Sequence, residues 1–268
     1  MTDTVPLVLG GGSLAEPPGL DSEAVEATHR ELIRTCVDAG VTAFDTRSER
    51  ERVALARALD SLGRPGETTV FVREGPGGAG APGPYERGDA ERMADDLGVE
   101  SLDALVVVPV EDDDAQARQE ELAVSWREAG LVGRLGTWHP GPDPAERFGD
   151  EDPYEFAVEP YSVSTADAPA AFAAATERGW EAIASSPFDG GRLLGDMVAA
   201  AINRAGEDDL GELPARVADH LIRYSLFQPN VDRLLLAMRD PGYVERNVES
   251  VERGPLSDEE RAWLDSLR

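Results

Sequence analysis

The stretch Gly40-Val41-Thr42-Ala43-Phe44-Asp45-Thr46 decides the fold. Upstream of it, Asp21–Ala39 carries a helical pattern that opens on acidic residues and stops at Gly40, a residue suited to the position after a helix. Downstream, a short apolar run closes on the carboxylate of Asp45. A helix feeding a strand that ends on a charged group is a β/α unit. Its chemistry would sit at the strand's C-terminal end, where barrel enzymes keep theirs.

The same alternation runs along the chain. Apolar or β-branched runs occur in order at Val5–Leu9, Val41–Asp45, Thr69–Arg73, Ala104–Val108, Arg134–Trp138, Phe156–Glu159, Ala182–Ser185 and Arg233–Ala237. Runs such as Leu105-Val106-Val107-Val108 are continuous, as in parallel strands covered on both faces. Helical patterns at Glu49–Leu62, Asp89–Leu97, Ala115–Ala129, Ala168–Arg178 and Leu213–Phe227 separate most of them. After the fifth run only Asp143–Phe148 is available, enough for barely two turns. Ser257 and Glu260 form a capping-box pattern that opens a last helix. Gly10-Gly11-Gly12 reads as a turn and lacks the spacing of a dinucleotide fingerprint. Gly75–Pro84 reads as a loop, and Glu111–Asp114 as a solvated acidic run. No linker divides the chain. The expectation is an α/β protein, a single (β/α)8 barrel over residues 1–268.

Composition narrows the function. The 53 acidic and 25 basic residues give a formal charge of −28, and every basic residue is Arg, because the chain has no Lys. Self-repulsion on that scale opposes a compact state unless salt screens it, and two readings follow: a protein adapted to high salt, or an acidic surface that meets a specific basic partner. Nucleic-acid binding is disfavoured, because phosphates need a basic face. Cys36 is the only cysteine, which rules out an internal disulfide and predicts a buried structural thiol. No apolar run approaches the roughly 20 residues of a membrane span, and a cytoplasmic location is expected.

Four segments, in order, resemble the aldo-keto reductases: Phe44-Asp45-Thr46, Trp126 to Gly136, Ser186-Pro187-Phe188 with Gly191 and Leu193, and Val231 to Asn247 with Leu256-Ser257. The resemblance spans nearly the whole chain in element order and implies a barrel of that type. It also implies a nicotinamide cofactor, NAD or NADP, and a tetrad of Asp, Tyr, Lys and His at the strand ends. There a tyrosine gives a proton to the substrate carbonyl while hydride arrives.

Carried over residue by residue, that chemistry breaks down. Asp45 matches the family aspartate. Arg47, Ser48, Glu49 and Arg50 stand where the tyrosine should follow. Arg73 takes the place of the lysine and lacks its easily shifted pKa. Val108-Pro109-Val110 stands where the histidine should be. In the nicotinamide pocket, Trp138 and His139 align with a Ser-Asn pair, Ser185 with a stacking tyrosine, and Val158 or Glu159 with a glutamine. Ser186, Arg239 and Asn247 match cofactor positions, while Asp240 replaces a serine and would repel a 2′-phosphate.

The residues leave several readings. Asp45 is an inherited base or a partner of Arg73. Arg73 pairs with Asp45 or holds an anion at the barrel mouth. His139 is a solvated loop residue or an acid/base group. Trp138 and Tyr161 line the mouth or fill the core, and His29 and His220 are surface or packing groups. Asp45, His139 and Glu159 could ligate a metal, although no metal site is expected. The leading expectation is an aldo-keto reductase-like protein with a degenerate tetrad, binding a small molecule at its mouth without ordinary carbonyl reductase activity. A rebuilt oxidoreductase using Asp45, Arg73 and His139, or a barrel hydrolase or lyase, are the alternatives. No membrane or nucleic-acid partner is expected.

Overall fold

A computed structural model describes residues 4–15, 22–64, 68–74, 84–140, 153–165, 168–205 and 211–268. Eight parallel strands close into a barrel in sequence order: β1 (Leu7–Leu9), β2 (Ala43–Thr46), β3 (Thr69–Val72), β4 (Leu102–Val107), β5 (Val132–Trp138), β6 (Phe156–Pro160), β7 (Glu181–Ser185) and β8 (Arg233–Leu236). β8 pairs with β1 through Leu7↔Leu234, Val8↔Leu235 and Leu9↔Leu236, which leaves no sheet edge. Every run read from the sequence became a strand, displaced by at most two residues at either end.

The helices are α1 (Ser22–Asp38), α2 (Glu49–Ser61), α3 (Asp89–Leu97), α4 (Asp113–Glu128), α5 (Ala168–Glu177), α6 (Arg192–Ala205), α7 (Leu213–Leu226), α8 (Pro241–Glu252) and α9 (Asp258–Asp265). Two of these escaped the sequence reading, α6 and α8. The start of α8 was nevertheless legible. Asp240 is its N-cap, accepting from Gly242 N at 2.8 Å, and Pro241 fills the first turn, where a missing N–H costs nothing. Asp240 is therefore a structural cap, whatever its sign means for a phosphate. The acidic run before α4 also has a local job. Asp112 caps the helix by accepting from Ala115 N at 2.7 Å, and Asp113 and Asp114 lie where the helix dipole favours negative charge. The short pattern Asp143–Phe148 and most of the Gly75–Pro84 loop lie outside the described residues.

Side chains alternate along each strand, and the alternation divides the core in two. Val8, Ala43, Phe71, Ala104, Val106, Phe156, Val158, Ile183 and Leu235 fill the barrel, with Trp138 packed on them. Phe71 and Phe156 meet edge to face at 5.1 Å. Gly136 must be glycine here, since a Cβ would lie 2.2 Å from the Phe156 ring. The other faces of the strands pack against the helices, in a second cluster that includes Leu32, Ile33, Leu55, Met93, Leu105 and Phe172. Cys36 belongs to that layer, and burial pushes its thiol up to about 12, too high for a working nucleophile. No helix among the described residues is long and apolar enough to cross a membrane.

A clamp outside the barrel holds the C-terminus. Arg223 of α7 forms a fork with Glu260 of α9, both bonds 2.8 Å, and donates to the Gly254 and Pro255 carbonyls and to Asp219. Arg253 reaches Asp219 from the other side at 2.6 Å. The Arg223 hydrogen bonds and the Ser257 N–H hold Glu260 at about 2, below the usual carboxylate range. Burial alone would raise Asp219, but hydrogen bonds from His220, Ser250 and Arg223 and the Arg253 charge outweigh it and keep it low.

A depressed carboxylate stabilises the fold fully above its unfolded pKa, near 4.3, and loses that contribution as pH falls towards its folded value. Glu260→Gln should therefore cost about 1.5 kcal/mol at pH 7, since the carboxylate is partly open to solvent. The cost should shrink between about pH 4.5 and pH 2. Denaturant titrations of parent and variant at a series of pH values check this, and a difference independent of pH would refute it.

Candidate functional site

The C-terminal ends of the strands share one face of the barrel, and the sequence-predicted residues can be located on it. Asp45 and Ala43 lie on the same side of β2, and Arg73 follows β3 two residues after Phe71. Both therefore face the interior above the apolar layer. Arg73 N donates to Thr46 O at 2.9 Å, which extends the β2–β3 pairing and fixes the base of the side chain. The guanidinium then closes on Asp45, with Nε to Oδ1 at 3.1 Å and Nη2 to Oδ2 at 3.5 Å. The Asp45 and Arg73 side chains are 4% and 11% exposed, so this is a buried ion pair. Trp138, at the end of β5, covers one face of Arg73, with its ring centroid 4.1 Å from the guanidinium carbon. Of the readings open for Asp45, the structure shows the ion pair.

The β2–α2 turn shows why no tyrosine sits beside Asp45. Only Arg47 and Ser48 separate the strand from the helix. Ser48 caps α2, and Glu51 reaches back to accept from Arg47 N at 2.7 Å and Arg47 Nε at 3.0 Å. Gly11 rests on this knot, where a Cβ would meet Glu51 Oε2 at 2.3 Å and Asp45 O at 3.0 Å. The turn is short, internally bonded and capped from above.

The five tyrosines are engaged elsewhere. The Tyr85 hydroxyl donates to Val106 O at 2.8 Å and accepts from Glu74 N, and burial raises its pKa out of any useful range. Tyr154 donates to Glu120 at 2.9 Å. Tyr161 stacks on Tyr224 and meets Phe172 edge to face. It is therefore a core residue, and of the two aromatics placed at the mouth only Trp138 lies there. Tyr243 is exposed on α8 beside Arg246.

His139 departs from the other candidates. It follows β5 with a left-handed backbone (φ 51°), and its Nδ1 lies 2.6 Å from Glu159 Oε1. Glu159 alternates with Val158, which faces the interior, so the pair belongs to the outer side of the barrel rim. His139 is thus a loop residue with its side chain 63% exposed and tied to a buried carboxylate, and it does not join the Asp45–Arg73 group. No cluster of metal-ligating side chains exists among the described residues, so Asp45, His139 and Glu159 form no such set. His29 and His220 are buried, and His220 packs edge to face on Trp263.

The remaining cofactor positions are dispersed. Ser185, at the end of β7, is fully buried on the interior face, and its Oγ has no hydrogen-bond partner among the described residues. Ser186 turns away with φ 58° and is exposed. Arg239 is exposed and donates to Gly12 O at 3.1 Å. Asn247 is buried on α8. Val108-Pro109-Val110 is half-buried and held by α4, through Gln119 to Val108 O and Val110 N to Gln116. Ser185 joins Asp45, Arg73 and Trp138 at the mouth. A cavity of about 660 Å³ lies at the opposite end, lined by Pro6, Trp180, Glu181 and Arg233 among others. Its Glu181 is already taken by Arg134 at 2.8 Å and Arg233 at 2.5 Å, which makes it a structural ion cluster.

The barrel has the fold of the aldo-keto reductases. It superposes on the aldo-keto reductase AKR11C1 from Bacillus halodurans, solved in its holo form, with a TM-score of 0.72 and 16% identity over 98% of this chain and 91% of that one. It superposes on PA4992 from Pseudomonas aeruginosa, assigned to the same group, with a TM-score of 0.67 and 13% identity over 92% and 89% of the two chains. At these identities the likeness establishes the architecture alone. No protein-family model and no curated protein sequence matches the chain.

Proposed function

We propose that this barrel is an aldo-keto reductase-like binding protein, with a small-molecule site at its mouth and no nicotinamide-dependent carbonyl reductase activity. The observation that carries the reading is the buried Asp45–Arg73 pair under Trp138, with no tyrosine following Asp45 and the Tyr85 and Tyr154 hydroxyls already committed to other partners. Reduction of a carbonyl needs a proton donor of suitable pKa within hydrogen-bond reach of its oxygen. A guanidinium is a poor proton donor, and that of Arg73 is already engaged by the Asp45 carboxylate.

Ser185 and Trp138 occupy the places where the resemblance expects a stacking ring and polar hands for the nicotinamide. Neither offers the same contacts. In this reading the polar groups of the mouth select a ligand, and the apolar layer of Val158, Ile183 and Leu235 forms its floor. Titration with NADPH and NADH in high salt, followed by tryptophan fluorescence, should give no saturable change. Micromolar binding of either would overturn the reading.

A further inference from the structure

Given a mouth that is not a nicotinamide site, we propose that it takes a small uncharged molecule through an amide-type edge, a carbonyl beside an N–H, and that it rejects anions. The argument starts from what the ion pair leaves unused. Among the described residues Arg73 Nη1 has no hydrogen-bond partner, and Nη2 holds Asp45 only at 3.5 Å. Asp45 Oδ2 has only that long contact. A donor and an acceptor therefore lie side by side. An amide presents the complement, its carbonyl accepting from the guanidinium and its N–H donating to Oδ2.

Charge accounting removes the anion. Asp45 already neutralises Arg73, Glu51 neutralises Arg47 on the adjoining turn, and Arg239 is exposed to solvent, where salt screens it. A carboxylate or phosphate at the mouth would add an uncompensated charge to a buried site of a protein carrying −28 overall. An uncharged ligand adds none. Ser185 Oγ, buried on the same interior face and without a hydrogen-bond partner among the described residues, is a second, independent polar group. Trp138 packs over the guanidinium, with its ring centroid 4.1 Å from the guanidinium carbon, and helps to hold it in place.

Benzamide and benzoate are near-isosteric and differ by one charge. In about 3 M KCl, where the Debye length is under ~3 Å and only buried electrostatics persist, the folded protein should bind benzamide about tenfold tighter than benzoate. The tryptophan fluorescence response should be lost in Trp138→Phe. In Asp45→Asn, checked for folding by circular dichroism, Arg73 loses its counter-ion and the preference should reverse to benzoate. Where that variant does not fold, the parent's ratio and Trp138→Phe decide. Benzoate bound as tightly as benzamide, no saturable response to either, or an unchanged response in Trp138→Phe would each overturn the proposal. A benzoate preference without NADPH binding defeats this inference alone. NADPH binding with turnover defeats the reading of the mouth on which it rests.

Discussion

Thermal melts from about 0.1 to 3 M KCl should raise the unfolding midpoint by about 10 °C or more, at roughly 2–4 °C per kcal/mol for a chain of this size. Two effects of salt oppose each other. Salt weakens exposed ion pairs, and several here are exposed neighbours along one helix, such as Arg34–Glu31, Arg192–Asp196 and Arg253–Glu249. Each of these contributes about 0–1 kcal/mol at best. Salt also weakens the mutual repulsion of carboxylates that outnumber arginines 53 to 25. That repulsion acts over the whole surface, and the Debye length falls from ~10 Å to ~3 Å between 0.1 and 1 M. Repulsion should dominate and the midpoint should climb. The buried pairs, Asp45–Arg73 and the fully buried Arg52 with Asp96 and Glu74, are screened little and should hold throughout. A flat or falling midpoint would mean that the acidic surface serves a basic partner instead.

Breaking the Asp45–Arg73 pair should cost far more than its exposed counterparts. Asp45→Asn leaves a guanidinium that is 11% exposed without its counter-ion, and Arg73→Met leaves a carboxylate that is 4% exposed. Removing one partner of a buried pair typically costs about 3–5 kcal/mol, because the other charge stays desolvated. The double variant Asp45→Asn, Arg73→Met removes both charges and should cost clearly less than the sum of the singles. Denaturant midpoints in about 3 M KCl measure the cycle. Additive single costs below about 0.5 kcal/mol would show a solvated pair that does not define the mouth.

The barrel was legible because its signals are local and repeated. Leu105-Val106-Val107-Val108 is hydrophobic on both faces, and Gly40, Gly98, Gly130 and Gly179 end helices with positive φ where the pattern stops. Helix α6 is hard to read because Ser186 to Leu193 looks like loop and its glycines hide the start at Arg192. Helix α8 carried its Asp-Pro start signal in plain view.

At the site, Asp45 and Arg73 could be paired from the strand ends, since adjacent parallel strands put their C-termini side by side. The sequence does not encode which face of the rim His139 takes. That depends on a left-handed turn and on Glu159 lying on the outer side of β6. The covering of Arg73 by Trp138 is likewise a contact across β4, which no spacing predicts.

The most direct test of the central claim is turnover. Purified protein in about 3 M KCl is given NADPH or NADH with a panel of aldehydes, and nucleotide oxidation is followed. General acid catalysis contributes ~10²–10⁴-fold, and the mouth offers no tyrosine to supply it, so the rate should not rise above the background without protein. A rate of roughly 1 s⁻¹ or more that disappears in Asp45→Asn, while the variant remains folded, would contradict the account and establish a rebuilt reductase site.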